Sequence, residues 1–266
     1  MEFGPTLLIK KRHFLEKIIV LILLFSCAKS DYNSLEDSTS GTTYNPVTTN
    51  PDLGTWSQIN GDWRPTNDSG SSISQNQHYT VSPVFLVSPA AYTNVILSGT
   101  VTSSSNVGDD KKIDDVFGWV MGLNNPEGVG ENPSNYDFVL IDWKQTDTPN
   151  SGEIGNCLAR VDGNFSGSGE RATYFLQRID TGSSGKFHVL DTNYGSGKGW
   201  VSGASYNFQI IYTESKIKLV IDDDTIFEKS GSFPEGKVGF YMYHLNGVTY
   251  SNISITTDFD TSEYFN

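Results

Sequence analysis

The sequence predicts an all-β protein, with antiparallel strands packed as a sandwich or jelly roll. Three observations carry this. Short runs of alternating apolar and polar residues recur from about Trp56 onward. Clusters of Gly, Asn, Asp, Ser and Pro separate them, and the chain holds 26 glycines in 266 residues. After the N-terminal segment, no stretch shows a helical stripe.

The N-terminal segment is of another kind. Lys10, Lys11, Arg12 and Lys17 surround and precede the apolar run "IIVLILLF", Ile18–Phe25, after which come Ser26 and Cys27. Eight apolar residues are too few to span a bilayer as a helix. Basic, then apolar, then small is the order of a secretory signal. The ending "LFSC" is similar to a bacterial lipobox, in which Cys27 would take lipid and become the mature N-terminus. Residues 1–26 are therefore expected to be a lipoprotein signal peptide. The chain is expected to leave across the inner membrane and be lipid-anchored to the envelope, at the outer membrane or cell surface. It would meet the membrane through that anchor only. Residues 27–51 are mostly Ser, Thr, Asn, Asp and Gly. Such a segment buries too little to offset its ordering entropy, so it reads as a flexible tether. The folded body is expected over 52–258, with 259–266 as a tail.

Within the body, the runs "NVILSGTV", "VFGWVMG", "YDFVLIDW" and "CLARV" come first. "ATYFLQR", "KFHVL", "YNFQIIY", "KIKLVID", "KVGFYMYH" and "VTYSNISI" follow. Their Val, Ile, Phe and Tyr suit a pleated, half-buried surface. Phe138 and Leu140 share one face of their strand, Val139 and Ile141 the other. With both faces apolar, that strand belongs in the middle of a sheet. Trp119 and Trp143 read as core rather than ligand platforms. "IDDDT", Ile221–Thr225, reads as a hairpin turn.

The formal charge is −13, and the signal alone carries +2, so the remainder is more acidic still. Nucleic acid and anionic lipid are poor partners for such a surface, and cations are attracted to it. With Cys27 lipidated, Cys157 is the one cysteine left, so no disulfide framework exists. Cys157 reads as a small core hydrophobe.

Several ordered blocks resemble the C-terminal domain of thrombospondins, a lectin-like sandwich of the concanavalin type. They are "NGDW" (Asn60–Trp63), "LSGTV" (Leu97–Val101), "DDVFGWVMG" (Asp114–Gly122), "DFVLIDWKQ" (Asp137–Gln145), "KGWVSGASYNFQIIY" and "GKVGFYMYHLNGVTYSNISI". The resemblance covers roughly residues 52–255. It departs where the third Asp of the family's triplet is replaced, Ile113 preceding Asp114, and where "LNNPEGVGENPSN" lengthens a turn. The calcium-binding repeats that precede the domain in thrombospondins have no counterpart. The resemblance implies a concanavalin-like jelly-roll and calcium held by acids before the "FGW" strand.

The local oxygen supply is Asp109, Asp110, Asp114 and Asp115, with Asn124, Asn125 and Glu131 in the next loop. Calcium takes six to eight such ligands. Lys111 and Lys112 partly neutralise the loop, and consecutive acids on an extended chain point to opposite sides. The leading expectation is a surface-anchored adhesion or glycan-binding module with calcium. Its partners would be carbohydrate, or a matrix or cell-surface protein. The alternatives are a glycan hydrolase of the same fold and a structural envelope lipoprotein. A glycosidase needs two carboxylates flanking a sugar bond. Asp137 and Asp142, five apart, face opposite ways on their strand. No other local catalytic motif is present.

Overall fold

Two antiparallel sheets face each other across an aromatic core. The computed structural model describes residues 43–78, 82–103, 116–124, 136–145, 152–165 and 167–265. The strands, in chain order, are β1 (Val47–Thr49), β2 (Ser57–Ile59), β3 (Trp63–Pro65), β4 (Ser72–Gln75), β5 (Val84–Tyr92), β6 (Val95–Thr102), β7 (Val116–Leu123), β8 (Tyr136–Lys144), β9 (Gly155–Gly163), β10 (Phe187–Tyr194), β11 (Ser205–Tyr212), β12 (Lys216–Ile221), β13 (Asp224–Ser230), β14 (Gly236–Tyr243) and β15 (Val248–Thr257). One helix, α1 (Gly167–Phe175), lies between β9 and β10.

The eight-stranded sheet runs β13-β12-β11-β6-β15-β4-β3, with β1 also paired to β15. The seven-stranded sheet runs β10-β9-β8-β7-β14-β5-β2. Runs of consecutive strands, β11-β12-β13 in one sheet and β7-β8-β9-β10 in the other, are joined to strands from distant parts of the chain by the pairs β11-β6, β6-β15, β15-β4, β7-β14 and β14-β5, as in a jelly roll. The all-β antiparallel sandwich is therefore as the sequence predicts.

Alternation sets what each strand buries. On β6, β11 and β12 the residues Leu97, Ile210 and Leu219 point inward. Phe117, Trp119, Val139 and Ile141 meet them from the seven-stranded sheet. Phe240 stacks on Tyr250 with centroids 4.0 Å apart, and Trp119 lies 4.9 Å from Phe208. The Tyr250 hydroxyl donates to the Gly118 carbonyl at 2.8 Å. Trp119 and Trp143 are buried, as expected of core residues. β8 lies inside its sheet between β7 and β9, again as expected. Asp222 and Asp223 both have positive φ, 47° and 70°, in a two-residue β12–β13 hairpin. That pattern is a type I′ turn, which suits the twist of the flanking strands.

One expected strand is corrected, and two terminal segments pack onto the sheets. "ATYFLQR" is no strand: Ala172–Phe175 end α1, and Leu176–Arg178 follow it. The helix was hidden because its buried stripe is only Arg171 and Phe175, an i, i+4 pair in which one member is charged. The last part of the expected tether is ordered, since β1 pairs Val47 with Thr257 and Thr49 with Ile255. The expected tail also packs: Phe259 is buried against Ile96 and Ile211, with Tyr264 and Phe265 beside it.

Candidate functional site

The predicted metal residues Asp109, Asp110, Asp114 and Asp115 lie outside the described residues, as do Cys27, Asn125 and Glu131. Asn124 is described. Its amide donates to Asp137 Oδ2 and to the Gly122 carbonyl, both at 3.3 Å. Among the described residues, no three or more His, Cys, Asp or Glu side chains converge as metal ligands.

The two strand-borne acids of β8 do face opposite ways, and each is engaged. Asp137 is ion-paired with Arg160. Asp142 is fully buried on the outer face of the seven-stranded sheet and meets Arg178 Nη2 at 2.7 Å and Nε at 3.2 Å. Arg178 also donates to the Glu153 carbonyl at 2.7 Å and the Gly155 carbonyl at 3.0 Å. Burial, the largest influence, pushes the Asp142 carboxyl up, while Arg178 and Lys144 pull it down. For Arg178, burial works against the charge, yet Asp142 more than reverses it and holds the guanidinium above its ordinary value. Close contact and a second cation keep this pair ionised. It is a strut: it fixes the segment after α1 onto β8 and engages the Asp142 carboxylate.

That segment covers a second core. Phe175 packs on Tyr136, Tyr241 and Phe187 at 5.8, 6.2 and 6.0 Å. Phe138, Leu140, Cys157 and Val161 lie in the same cluster. Lys144 Nζ donates to the Leu176 carbonyl at 3.1 Å, placing a cation just beyond the helix C-terminus, where the dipole favours it. Burial and then Asp142 push the Cys157 thiol up to about 12, which makes it a poor nucleophile. All five tryptophans of the chain are buried. None offers a sugar-stacking platform.

The other outward face is different. On the eight-stranded sheet, three outward rows of β15, β6 and β11 carry uncharged polar side chains, and the next row, with Ile96 and Ile211, is covered by Phe259. Thr249, Thr102 and Ser205 form one row across these strands in register, and Ser251, Thr100 and Asn207 form the next. Ser254, Ser98 and Gln209 make a third. Hydroxyl pairs bridge the strands: Thr102 with Ser205 at 2.7 Å and Ser98 with Ser254 at 2.8 Å. The Thr100 hydroxyl donates to Asn207 Oδ1 at 3.2 Å. Among the described residues, charged side chains stand at the margins of these rows, where Asp222 Oδ1 accepts from the Asn207 N–H at 2.8 Å. Arg64 pairs with Asp62 on one side, and Lys218 with Glu228 on the other.

A bulge in β15 makes this face possible. Its register shifts between Ser251 and Ser254, so two steps on β6 answer three on β15. Unshifted alternation would have turned Ile253 outward. With the extra residue, Ile253 and Ile255 enter the core while Ser251 and Ser254 stay outside. Asn252 is the extra residue, with φ 54° and an exposed side chain. Opposite it stands Gly99, where a Cβ would collide with Ile253 Cδ1 and sit 2.9 Å from the Ser251 carbonyl. The glycine of "LSGTV" is there to let the bulge close against β6.

Sequence reasoning missed this face. Its residues read individually as solvent-exposed polar positions, and only the register aligns them. The signal was the doubled polar pair Ser251-Asn252 in a strand otherwise alternating.

No family model and no curated protein matches the chain. Solved structures of similar architecture exist. The carbohydrate-binding module CBM66 from Bacillus subtilis aligns with 76% of this chain and 95% of its own, at 12% identity and a TM-score of 0.48. The Emp46p carbohydrate recognition domain in its potassium-bound form aligns with 77% and 89%, at 12% identity and 0.46. A Bacillus subtilis protein of unknown function with a galectin-like fold aligns with 80% and 97%, at 15% identity and 0.45. At such identities the likeness concerns architecture, and binding properties stay with those proteins.

Proposed function

We propose that this chain is an extracellular, envelope-anchored glycan-binding module. The observation that carries the reading is the uncharged Ser, Thr and Asn face of β15, β6 and β11, standing in a chain of formal charge −13. A surface of hydroxyls and amides without charge suits a partner that is itself a polyol. Such groups donate and accept in kind.

The finer parts of the reading come from the sequence. Cys27 would carry the lipid after removal of residues 1–26, and the following polar stretch would hold the body off the membrane. The thrombospondin-like blocks motivate calcium at Asp109, Asp110, Asp114 and Asp115. Hard oxygen ligands of this kind suit that ion. A matrix or cell-surface glycoprotein is the natural carrier of the glycan.

The purified domain should be applied to a glycan array with and without chelator, and melted with added calcium or EDTA. Glycan retention is expected, with a rise in melting temperature on adding calcium, because a ligand bound to the native form alone stabilises it. Absence of retention on every glycan overturns the glycan reading. An unchanged melting temperature removes the calcium. Release of reducing sugar from polysaccharides would move the chain to the hydrolases.

A further inference from the structure

Resting on the glycan-binding reading, we infer that the ligand is a neutral, extended oligosaccharide lying across β15, β6 and β11, oriented by Asn252. The first support is the conformation of Asn252. A non-glycine residue at φ 54° carries a backbone cost, and such strain persists where surrounding structure enforces it. Here the bulge turns its carboxamide onto the outer face, where its Nδ2 reaches Thr100 Oγ1 at a long 3.5 Å. An amide offers two donors and an acceptor oxygen with two lone pairs, so most of its capacity is unspent.

The hydroxyl pairs are also only half used. When Thr102 and Ser205 bond to each other, one of the two O–H groups is consumed. One donor and several lone pairs remain for a ligand. Ser98 with Ser254 repeats the arrangement one row on. Sugar hydroxyls match this mixture. A sulfate, phosphate or uronate would want N–H donors or cations instead, and the net negative field opposes it. A protein partner fits poorly as well, because interface cores are built on buried apolar and aromatic anchors that these rows lack. A second copy of this chain would meet hydroxyls with hydroxyls and gain little for desolvating them.

Spacing sets direction and length. Neighbouring strands lie about 4.8 Å apart, close to the roughly 5 Å advance of one sugar in an extended β-linked chain. A glycan crossing the strands would set about one sugar on each of β15, β6 and β11, and Ser74 of β4, in register with the first row, is buried with its hydroxyl donating to the Val248 carbonyl at 3.3 Å. About three units then fill the face. With no tryptophan exposed, binding rests on hydrogen bonds, and dissociation constants of about 10–1000 μM are expected.

The test is calorimetric titration of the full chain with neutral gluco-, xylo- and chito-oligosaccharides of two to six units, and with oligogalacturonate and heparin fragments. One neutral series should bind, tightening by about tenfold from two to three units and then levelling. Asn252→Gly should weaken it by about tenfold, the worth of one or two hydrogen bonds, while its melting temperature stays equal or rises because glycine relieves the positive φ. Asn252→Asp, also tolerant of this conformation, should weaken binding without unfolding. No binding by any sugar sinks the glycan reading itself. Sugar binding that is restricted to the charged series, insensitive to length, or unchanged in both variants sinks this inference and leaves that reading standing. So does a dimer in sedimentation that Asn252→Asp disperses.

Discussion

The sandwich turns two faces outward, and they have been put to opposite uses. The seven-stranded sheet is sealed: α1 and Leu176–Arg178 lie over Tyr136, Phe138, Leu140 and Tyr241, all at 0–1% exposure. The eight-stranded sheet leaves its central rows of Ser, Thr and Asn half-buried or exposed. The two sheets share alternation and a common core, so the difference lies in the outward set of residues. Apolar outward residues demanded a cover, and the cover needed an ion pair to hold it. The polar rows of the other face needed none, while Ile96 and Ile211 beyond them are covered by Phe259. The consequence is that stability should reside at one face and recognition at the other.

The largest effect that could break this contrast concerns Arg178. Arg178→Leu leaves Asp142 charged and buried without its partner, and should cost about 3–5 kcal/mol in denaturant unfolding. Pairing it with Asp142→Leu should recover much of that loss, since the carboxylate no longer has to be desolvated. If the single variant is near neutral, the pair is not the strut of the cover. Arg178 also sits at φ 55°, where glycine is usual at a helix end. From that position its guanidinium reaches Asp142 on β8 and the Glu153 and Gly155 carbonyls.

Next comes the cover's aromatic anchor. Phe175→Ala removes the ring shared by Tyr136, Tyr241 and Phe187, at a cost of about 3–5 kcal/mol. Thiol labelling checks it locally: Cys157 lies in the cluster beneath and should react faster with a maleimide in the variant. Labelling as slow as in the wild type would mean that the cover does not depend on this ring. On the open face, Thr102→Val keeps the β-branched shape and loses a half-exposed hydroxyl. Its stability should stay within about 0.5 kcal/mol of wild type. A loss as large as that of Phe175→Ala would erase the division between the two faces.

Much of the architecture was legible because it repeats a local rule. "YDFVLIDW" is apolar on both faces, and it lies between two neighbours with a core on either side. "IDDDT" carries turn chemistry, and the turn is there. The helix escaped because nine residues with two glycines and a buried arginine do not fit an apolar helical template. The polar rows escaped for another reason. Thr102 and Ser205 are 103 positions apart, and Ser98 and Ser254 are 156 apart. Nothing local in a strand says which hydroxyls will meet. The acids at 109–115 drew attention as a dense charged motif, but they fall outside the described residues.

The smallest predicted effect lies where the cover returns to the sheet. Asp180 follows Arg178 closely, and its Oδ1 accepts from the Gly182 N–H at 2.9 Å and the Val189 N–H at 3.2 Å, with His188 Nδ1 also at 3.2 Å. The Gly182 N–H, opposed by slight burial and helped by His188 and Val189, holds its carboxyl below the usual carboxylate range. A folded-state pKa lowered in this way contributes stability that is present above the unfolded value, about 3.9, and lost as pH falls through the folded one. The side chain is 48% exposed, so solvent screens much of the contribution. Asp180→Asn should therefore lower the melting temperature slightly at neutral pH, and the gap from wild type should close on acidification below about pH 4. A gap that widens in acid would reverse the sign and show that Asp180 does not hold this edge through its charge. A gap that closes as expected places the hold of Asp180 on the Gly182 and Val189 N–H groups in its charge.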